Sequence, residues 1–546
     1  MMKTIKILYT VIALVFVTSS CQDQLDVKNP NEPTPEALNT ESGIYQAATG
    51  VYANLYFENN SAAGNFDFIW VSQALHEAMG DAMYIPWGNF GWRWANQVSS
   101  ITLDDGTLVS PPNEGDQALA LKARNTRGQT SDNAFAHEWV SCYFVNNTGN
   151  VLLSKLEEEI DFTGEAEIKK NTLRAWAHFW KGWAYMRIGS MYISGLIIDT
   201  PGETNSDFKS NSEIIAESNR NFEAAIQILN SLTDNGSYAS VLTSVIPRHL
   251  AVNSEYPTPE EWIRNIRTLQ ARNALVSIKD SDKTSSDWNN ILDLANQGIQ
   301  EGDFIFVMKS DGNNFLVTLL VPYRLLIGWH FASERLIQDF KTIPDIIPDA
   351  GDTSTYEILD NRMERNFTVL GVPEVNRSGR GIQYGTRWRF VEGDYASLET
   401  GKANVYLGGS YEENLLMQAE ALINTNSIDN GLDLVDEVRA FQNSGLDDVA
   451  NTGLTVDEAK EELRRERRIG LLMRGLAFYD ARRWGVIDPV SEGGGRSPVL
   501  VLDAVGNVNT NAQFDYKYMD YFDVPQNELD FNEPGDGSAP VTEAPK

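Results

Sequence analysis

The chain has 546 residues, 42% of them apolar and 10% aromatic, and its 44 basic against 76 acidic side chains leave a formal net charge of −32. That apolar content excludes global disorder, and the acidic excess argues against nucleic acid, whose binding rests on basic residues meeting phosphates. Past residue 20 no run of about 18 apolar residues is available to cross a bilayer, and with only two cysteines the fold has to be held by packing.

The first stretch combines Lys3 and Lys6, a short apolar run from Ile7 to Val17, and the small residues Thr18, Ser19 and Ser20 before Cys21. A charged start, an apolar centre and a small-residue cleavage site predict a secretory signal over 1–20. A cysteine directly behind the cleavage site predicts a bacterial lipoprotein, with Cys21 acylated as the first mature residue. Several acyl chains, at about 0.8 kcal/mol per buried CH₂, hold such a body on its membrane. Cys142 is then alone and no intrachain disulfide is possible. Residues 21–35, polar and holding three prolines, read as a tether.

Thr34 and Pro35 predict an N-cap and a first-turn proline. The helix behind them carries Ile44, Ala47, Ala48, Val51, Tyr52 and Leu55 at helical spacing. Phe66 to Trp94 is rich in aromatic residues, and its last part, YIPWGNFGWRW (84–94), is predicted as loop because of Pro86, Gly88 and Gly91. Residues 95–135 lack periodicity and read as an irregular excursion. A strong helix over 165–192 carries Leu173, Trp176, Ala177, Trp180, Ala184 and Ile188 in one stripe and pairs with a second over 212–232. Capping boxes at Thr258/Glu261, Ser410/Glu413 and Thr455/Glu458 open helices that run to Ile278, Ile423 and about Trp484. Further helices are predicted at 286–300, at 429–443 and near 322–341. The last lies in a mixed segment, 303–405, which also holds GIQYGTRWRF (381–390). The predicted fold class is mostly α, with TPR-like helical hairpins forming a scaffold with long irregular loops. One domain spans 36–546: a helical scaffold with the aromatic loop insertion (36–300), a loop-rich segment (301–405) and a C-terminal region (406–546).

Catalytic chemistry finds little support. The five histidines are scattered, and HEWVS at 137–141 has Ser141 where a zinc protease motif needs its second histidine. No nucleophile elbow, phosphate-binding loop or Cys/His metal spacing occurs. No enzyme activity, cofactor or metal is expected, although Asp104 and Asp105 before Gly106 could hold a calcium ion. The arginine-rich run 464–483 is interleaved with Glu458, Glu461, Glu462, Glu466 and Asp480, which favours internal ion pairs over a nucleic-acid patch. Trp176, Trp180 and Trp288 read as core. The loop 84–94 is the binding candidate, because four aromatic side chains within eight residues cannot all bury behind one another. Sugar rings stack on such planes while Asn and Arg hydrogen-bond the hydroxyls. The candidates are Tyr84, Trp87, Asn89, Trp92, Arg93 and Trp94, with Trp388 (beside Tyr384 and Arg387) as a second position. The alternative is that these rings pack the loop onto its own scaffold.

The chain resembles the SusD/RagB family. The resemblance is carried by Cys21 and LDVKNPNEPT, by LRAWAHFWKGWAYMRIGSMY (173–192), by the helices over 212–229 and 264–300, and by YEENLLMQAEALI (411–423). Its most specific piece is RRERRIGLLMRGLAFYDARRWG (464–485), matching at Glu466, Arg467, Arg468, Gly475, Asp480, Arg482, Arg483, Trp484 and Gly485. The ending YFDVPQNELDFN (521–532) matches at Pro525, Glu528 and Asn532. Gly470, Arg474 and Ala477 depart from the pattern, as does ISGLIIDTPGE after Tyr192. The resemblance implies a non-enzymatic lipoprotein on the outer membrane, facing the exterior. It would capture oligosaccharides and deliver them to a partner SusC-like TonB-dependent transporter. A peptide- or protein-binding subunit of the same type of transporter is the alternative, and a purely structural lipoprotein the third. No glycan contact can be carried over residue by residue.

Overall fold

The computed structural model describes residues 35–56, 71–96, 98–112, 117–158, 160–309, 330–395, 397, 404–517 and 519–544. The leader, Cys21, the tether up to Thr34, Phe66, Phe68, Trp70 and residues 322–329 lie outside the described residues.

Pro35 opens only a 3-10 turn, Pro35–Asn39. The first long helix, α1 (Glu41–Tyr56), starts behind Thr40, whose hydroxyl oxygen accepts from the Gly43 N–H at 3.1 Å. Thr40, not Thr34, therefore caps this helix. It is followed by α2 (Gln73–Met79), α3 (Ala136–Leu156), α4 (Ala166–Met191), α5 (Asn211–Leu229), α6 (Gly236–Val245), α7 (Pro259–Val276) and α8 (Ser285–Ala295). The C-terminal part adds α9 (Tyr411–Asn424), α10 (Ile428–Phe441), α11 (Val456–Gly470) and α12 (Ala477–Arg483). Consecutive helices pack as hairpins, α3 on α4, α4 on α5, α7 on α8 and α9 on α10, and α8 joins the two halves by packing on α9. The helical hairpin scaffold is thus present.

Helix α4 lies at its centre. Trp176, Trp180 and Trp183 are fully buried, with Trp176 edge-on to Trp180 at 5.6 Å and to Trp262 of α7 at 6.0 Å. The indole N–H of Trp176 donates to the Ala48 carbonyl (3.1 Å) and that of Trp183 to the Leu407 carbonyl (2.6 Å), so burial leaves neither unsatisfied. Reciprocal capping boxes start α5, α7, α8 and α11. At α9 only half a box forms. Ser410 accepts from the Glu413 N–H, while the Glu413 carboxylate turns inward to Arg272 at 2.6 Å.

The helix expected to reach Trp484 stops at Gly470. Met473 (φ 62°) and Gly475 (φ 69°) take left-handed backbone, which no helix tolerates, and α12 restarts after them. In 322–341, helix is found over Glu334–Asp339 among the described residues. Helix α3 begins where an irregular excursion was expected to end.

That excursion also contributes to an antiparallel sheet of eight strands among the described residues. They are β1 (Met83–Tyr84), β2 (Val98–Thr102), β3 (Leu108–Val109), β4 (Phe331–Ala332), β5 (Phe367–Val375), β6 (Gly385–Phe390), β7 (Arg496–Leu502) and β8 (Val508–Tyr516). The order is β1-β4-β6-β7-β8-β2-β3, with β5 also paired to β6. GIQYGTRWRF therefore runs into a strand. Tyr84, Ile101, Phe331, Tyr384, Val501 and Phe514 form the sheet's own apolar cluster.

Candidate functional site at the 84–94 loop

Strand β1 delivers the loop. Tyr84 pairs with Phe331, and its hydroxyl donates to the Tyr384 carbonyl at 2.6 Å beneath the sheet. The chain then leaves the sheet at Ile85 and reverses through Phe90 (φ 57°) and Gly91 (φ 78°). A Cβ at Gly91 would stand 2.9 Å from the Ala134 Cβ, so left-handed backbone and close packing both require glycine. The Phe90 N–H is held by the Asp132 carboxylate at 2.9 Å. One helical turn, Trp92–Ala95, ends the loop.

The side chains divide sharply. Trp92 is 0% exposed, wedged against Phe90 (5.0 Å) and edge-on to His330 (4.6 Å). Tyr84 is buried as well. Arg93 is 7% exposed and donates through Nε to the Pro86 carbonyl (2.9 Å), tying the two ends of the loop together. Trp388 is 2% exposed in β6, opposite Val369 and Ala332. Its neighbour Arg387 is clamped on Glu334 at 2.9 and 3.0 Å. Tyr84, Trp92 and Trp388 are therefore core side chains with no face to offer a ligand, which corrects the sequence expectation for them. Arg93 mainly braces the loop. The reason is shared: each is turned into the packed interior, a direction that residue type and spacing do not reveal.

Trp87, Asn89 and Trp94 do reach the surface, the tryptophans half-buried and Asn89 exposed. Trp87 Nε1 is shielded and has no hydrogen-bond partner among the described residues. The Arg124 guanidinium lies over the Trp94 ring at 3.1 Å from its centroid, with Arg93 at 5.3 Å. Arg377, in the turn between β5 and β6, stands 5.9 Å from the Trp87 ring. Burial lowers the Arg93 guanidinium from its ordinary value, and Arg380, Arg124 and Arg377 push the same way. The sequence reading missed Arg124, Arg377 and Arg380. No local signal marks them, because they come from segments far from the loop in the chain.

Two of the molecule's concavities, neither lined by residues 84–94, are apolar enough to note. One of about 480 Å³ includes Met83, His330, Tyr395, Tyr406, Glu412 and Arg474 in its wall. Another of about 670 Å³ is bounded by Trp139, Tyr143, Asn146, Phe531 and Asn532. There the family-like ending works structurally: Glu528 accepts from Trp139 Nε1 (3.2 Å), and Asn532 donates to the Asn205 carbonyl (2.7 Å).

The remaining candidates resolve into structure. Asp104 accepts from the backbone N–H groups of Thr510 and Asn511 (2.9 Å each), and Asp105 from that of Thr107 (2.8 Å). Among the described residues no group of three or more His, Cys, Asp or Glu could hold a metal ion. Glu138 of HEWVS is buried, paired with Arg187 at 2.5 Å and His76 at 3.2 Å. The arginine-rich run is internally paired, mostly to other elements: Arg467 with Asp480 (2.9 Å), Arg483 with Glu420 (2.6 Å) and Arg474 with Glu412 (2.7 Å). Cys142 is a buried free thiol whose pKa burial pushes up. No helix among the described residues is long and apolar enough to cross a membrane.

The SusD family's model matches residues 411–536. The fold matches solved structures along most of the chain. A SusD-like protein from Bacteroides fragilis NCTC 9343 superposes with a TM-score of 0.59 at 16% identity, over 92% of this chain and 98% of that one. A SusD-like carbohydrate binding protein from Bacteroides vulgatus ATCC 8482 gives 0.58 at 14%, over 92% and 99%. A second SusD-like carbohydrate binding protein, from Bacteroides fragilis NCTC 9343, gives 0.55 at 15%, over 91% and 99%. At these identities the likeness is one of fold. No curated protein matches the chain. The chain therefore has the fold of these SusD-like proteins, and residues 411–536 match the SusD family's model.

Proposed function

We propose that this SusD-like chain is a non-enzymatic lipoprotein of the outer-membrane surface that captures oligosaccharides and hands them to a SusC-like TonB-dependent transporter. The observation that carries the reading is the solvent-reaching part of the 84–94 loop. Trp87, Asn89 and Trp94 stand on backbone held by the Arg93–Pro86 and Phe90–Asp132 hydrogen bonds. Groups fixed before binding lose little freedom on contact, so a small patch suffices for useful affinity. Two half-buried indoles support only modest affinity, which suits a protein that must release its cargo. The carbohydrate-binding descriptions of two of the structural relatives point the same way. Anchoring rests on Cys21. Cys142, the other cysteine, is buried in α3.

The test is retention of the mature chain on immobilised glycans. Retention that Trp87→Ala or Trp94→Ala abolishes is the expected result. A chain that binds peptides and no glycan overturns the reading in favour of a peptide-carrying subunit. For the anchor, a fatty-acid analogue fed to cells should label the wild type and not Cys21→Ala. An unlabelled wild type sinks the membrane assignment.

A further inference from the structure

Around the loop the charge runs against the rest of the molecule. The chain carries a net charge of −32, and most of its buried arginines are matched to carboxylates: Arg335 to Asp81 (2.8 Å), Arg362 to Asp360 (2.8 Å), Arg387 to Glu334 (2.9 Å) and Arg483 to Glu420 (2.6 Å). Arg93, Arg124, Arg377 and Arg380 form no ion pair among the described residues, yet they gather at one face. Arg124 and Arg93 flank the Trp94 ring, Arg377 stands over Trp87, and Arg380, Arg124 and Arg377 are all near enough to disfavour charge on Arg93. Among the described residues only two acids act on these four guanidiniums, Asp132 on Arg124 and Glu374 on Arg377. Asp132 is shared with the Phe90 N–H, and burial pushes the Glu374 carboxyl up.

The cluster is also built rather than incidental. Arg377 and Arg380 sit on a hairpin turn with left-handed Gly379 (φ 77°) and Gly381 (φ 94°). Buried Asn376 locks that turn by donating to the Arg380 carbonyl (2.6 Å) and the Ile382 carbonyl (3.0 Å). Arg124 lies over its indole, and Nη1 donates to the Ala120 carbonyl at 2.7 Å. A guanidinium stacked on an aromatic ring keeps its in-plane N–H groups free for the paired oxygens of a carboxylate or sulfate. With Arg124 over one face of its ring, Trp94 offers a ligand an indole joined to a guanidinium, which suits an anionic sugar better than a neutral one.

We infer that this face takes an anionic oligosaccharide, one carrying carboxylate or sulfate groups. The inference rests on the carbohydrate reading above and narrows it to a substrate class. Uronic acids and sulfate esters share the chemistry, and matched ligand pairs separate them. The full mature chain would be titrated calorimetrically with oligogalacturonide and its methyl-esterified form, and with a sulfated oligosaccharide and its desulfated form. Each titration would be run at low and at high NaCl, with polyglutamate as a non-carbohydrate polyanion. The charged member of one pair is expected to bind at least about tenfold tighter than its neutral twin, as two or more charge-assisted hydrogen bonds imply. That advantage should shrink as salt screens the charges. The Arg377→Ala/Arg380→Ala double variant, both side chains being exposed, should keep its thermal midpoint and lose the preference. Neutral twins binding as tightly as charged ones, or a double variant with its preference intact, overturns the anionic inference and leaves the carbohydrate reading standing. Polyglutamate binding as tightly as the glycans, or a folded chain that binds no glycan, overturns the carbohydrate reading itself.

Discussion

Glu77 on α2 is fully buried, and burial pushes its carboxyl up to about 8 against the opposing pull of the Gly475 N–H and Arg468. Between its ordinary 4.5 and about 8, the folded chain holds a proton that the unfolded chain has released. The unfolded state then binds fewer protons, so this group makes stability fall as pH rises through that window. Glu77→Gln keeps the shape and removes the titration. Its stability relative to wild type should therefore rise from pH 5 to pH 8 in urea unfolding; a constant difference would refute the assignment. The tryptophans of the loop divide in the same way. Trp92→Ala should cost about 3–5 kcal/mol, the usual range for emptying a core aromatic site, whereas Trp87→Ala should leave the thermal midpoint nearly unchanged and act on binding. Equal losses in both would mean that Trp87 is core too. Residue type and spacing marked this loop as unusual. They could not say which rings face inward, since every second ring could turn either way until β4 and the Arg124 segment packed against them.

Helix packing fixes tolerances that side-chain chemistry alone would not suggest. Gly182 lies where α4 meets α5, and a Cβ there would come within 2.6 Å of the Phe222 ring. Gly182→Ala gains helix propensity but overpacks the seam, and the net loss should be about 1–3 kcal/mol, read as a lower urea midpoint. A stabilised variant would mean that Phe222 moves freely. Glu420 of α9 receives Arg483 at 2.6 Å and lies 3.8 Å from Arg467, all three buried. Glu420→Ala strands buried positive charge and should cost about 3–5 kcal/mol; a loss below about 1 kcal/mol in chemical unfolding would contradict that pairing. The helices with an apolar stripe, α4, α5, α7, α8 and α10, were legible within a few residues, with a cap to help at α7. Helix α3 was not, because much of its buried surface is polar. Asn146 and Asn150 both donate to the Ile198 carbonyl (2.9 and 2.8 Å) and Glu138 is ion-paired, and these polar groups interrupt the buried stripe Trp139, Cys142, Val145, Leu152 and Leu156.

At the scale of the molecule, the sheet ties distant parts of the chain together. Strands β7 and β8 stand between β6 and β2, and Arg468 of α11 donates to the Gly80 carbonyl at 2.8 Å and the Asp81 carbonyl at 3.1 Å. Expressed alone, residues 406–546 should lack a cooperative thermal transition, since β7 and β8 would lose both flanking strands. A sharp transition in that fragment would show the C-terminal part to be independent. From composition, periodicity and caps, the sequence by itself determined the helical hairpins, the core role of the α4 tryptophans and the internal pairing of the arginine-rich run. The first two follow from neighbours within a few residues, where burial and spacing act together; the run's interleaved acids signalled pairing, but Glu412, Glu420 and Asp339 reach it from elsewhere in the chain. Only the tertiary structure decided the sheet, whose strands β1, β3 and β4 are two residues long and carry no readable alternation. The same holds for the arginine-lined face, since Arg93, Arg124, Arg377 and Arg380 become neighbours only after long-range folding, and charge interactions act through space rather than along the chain.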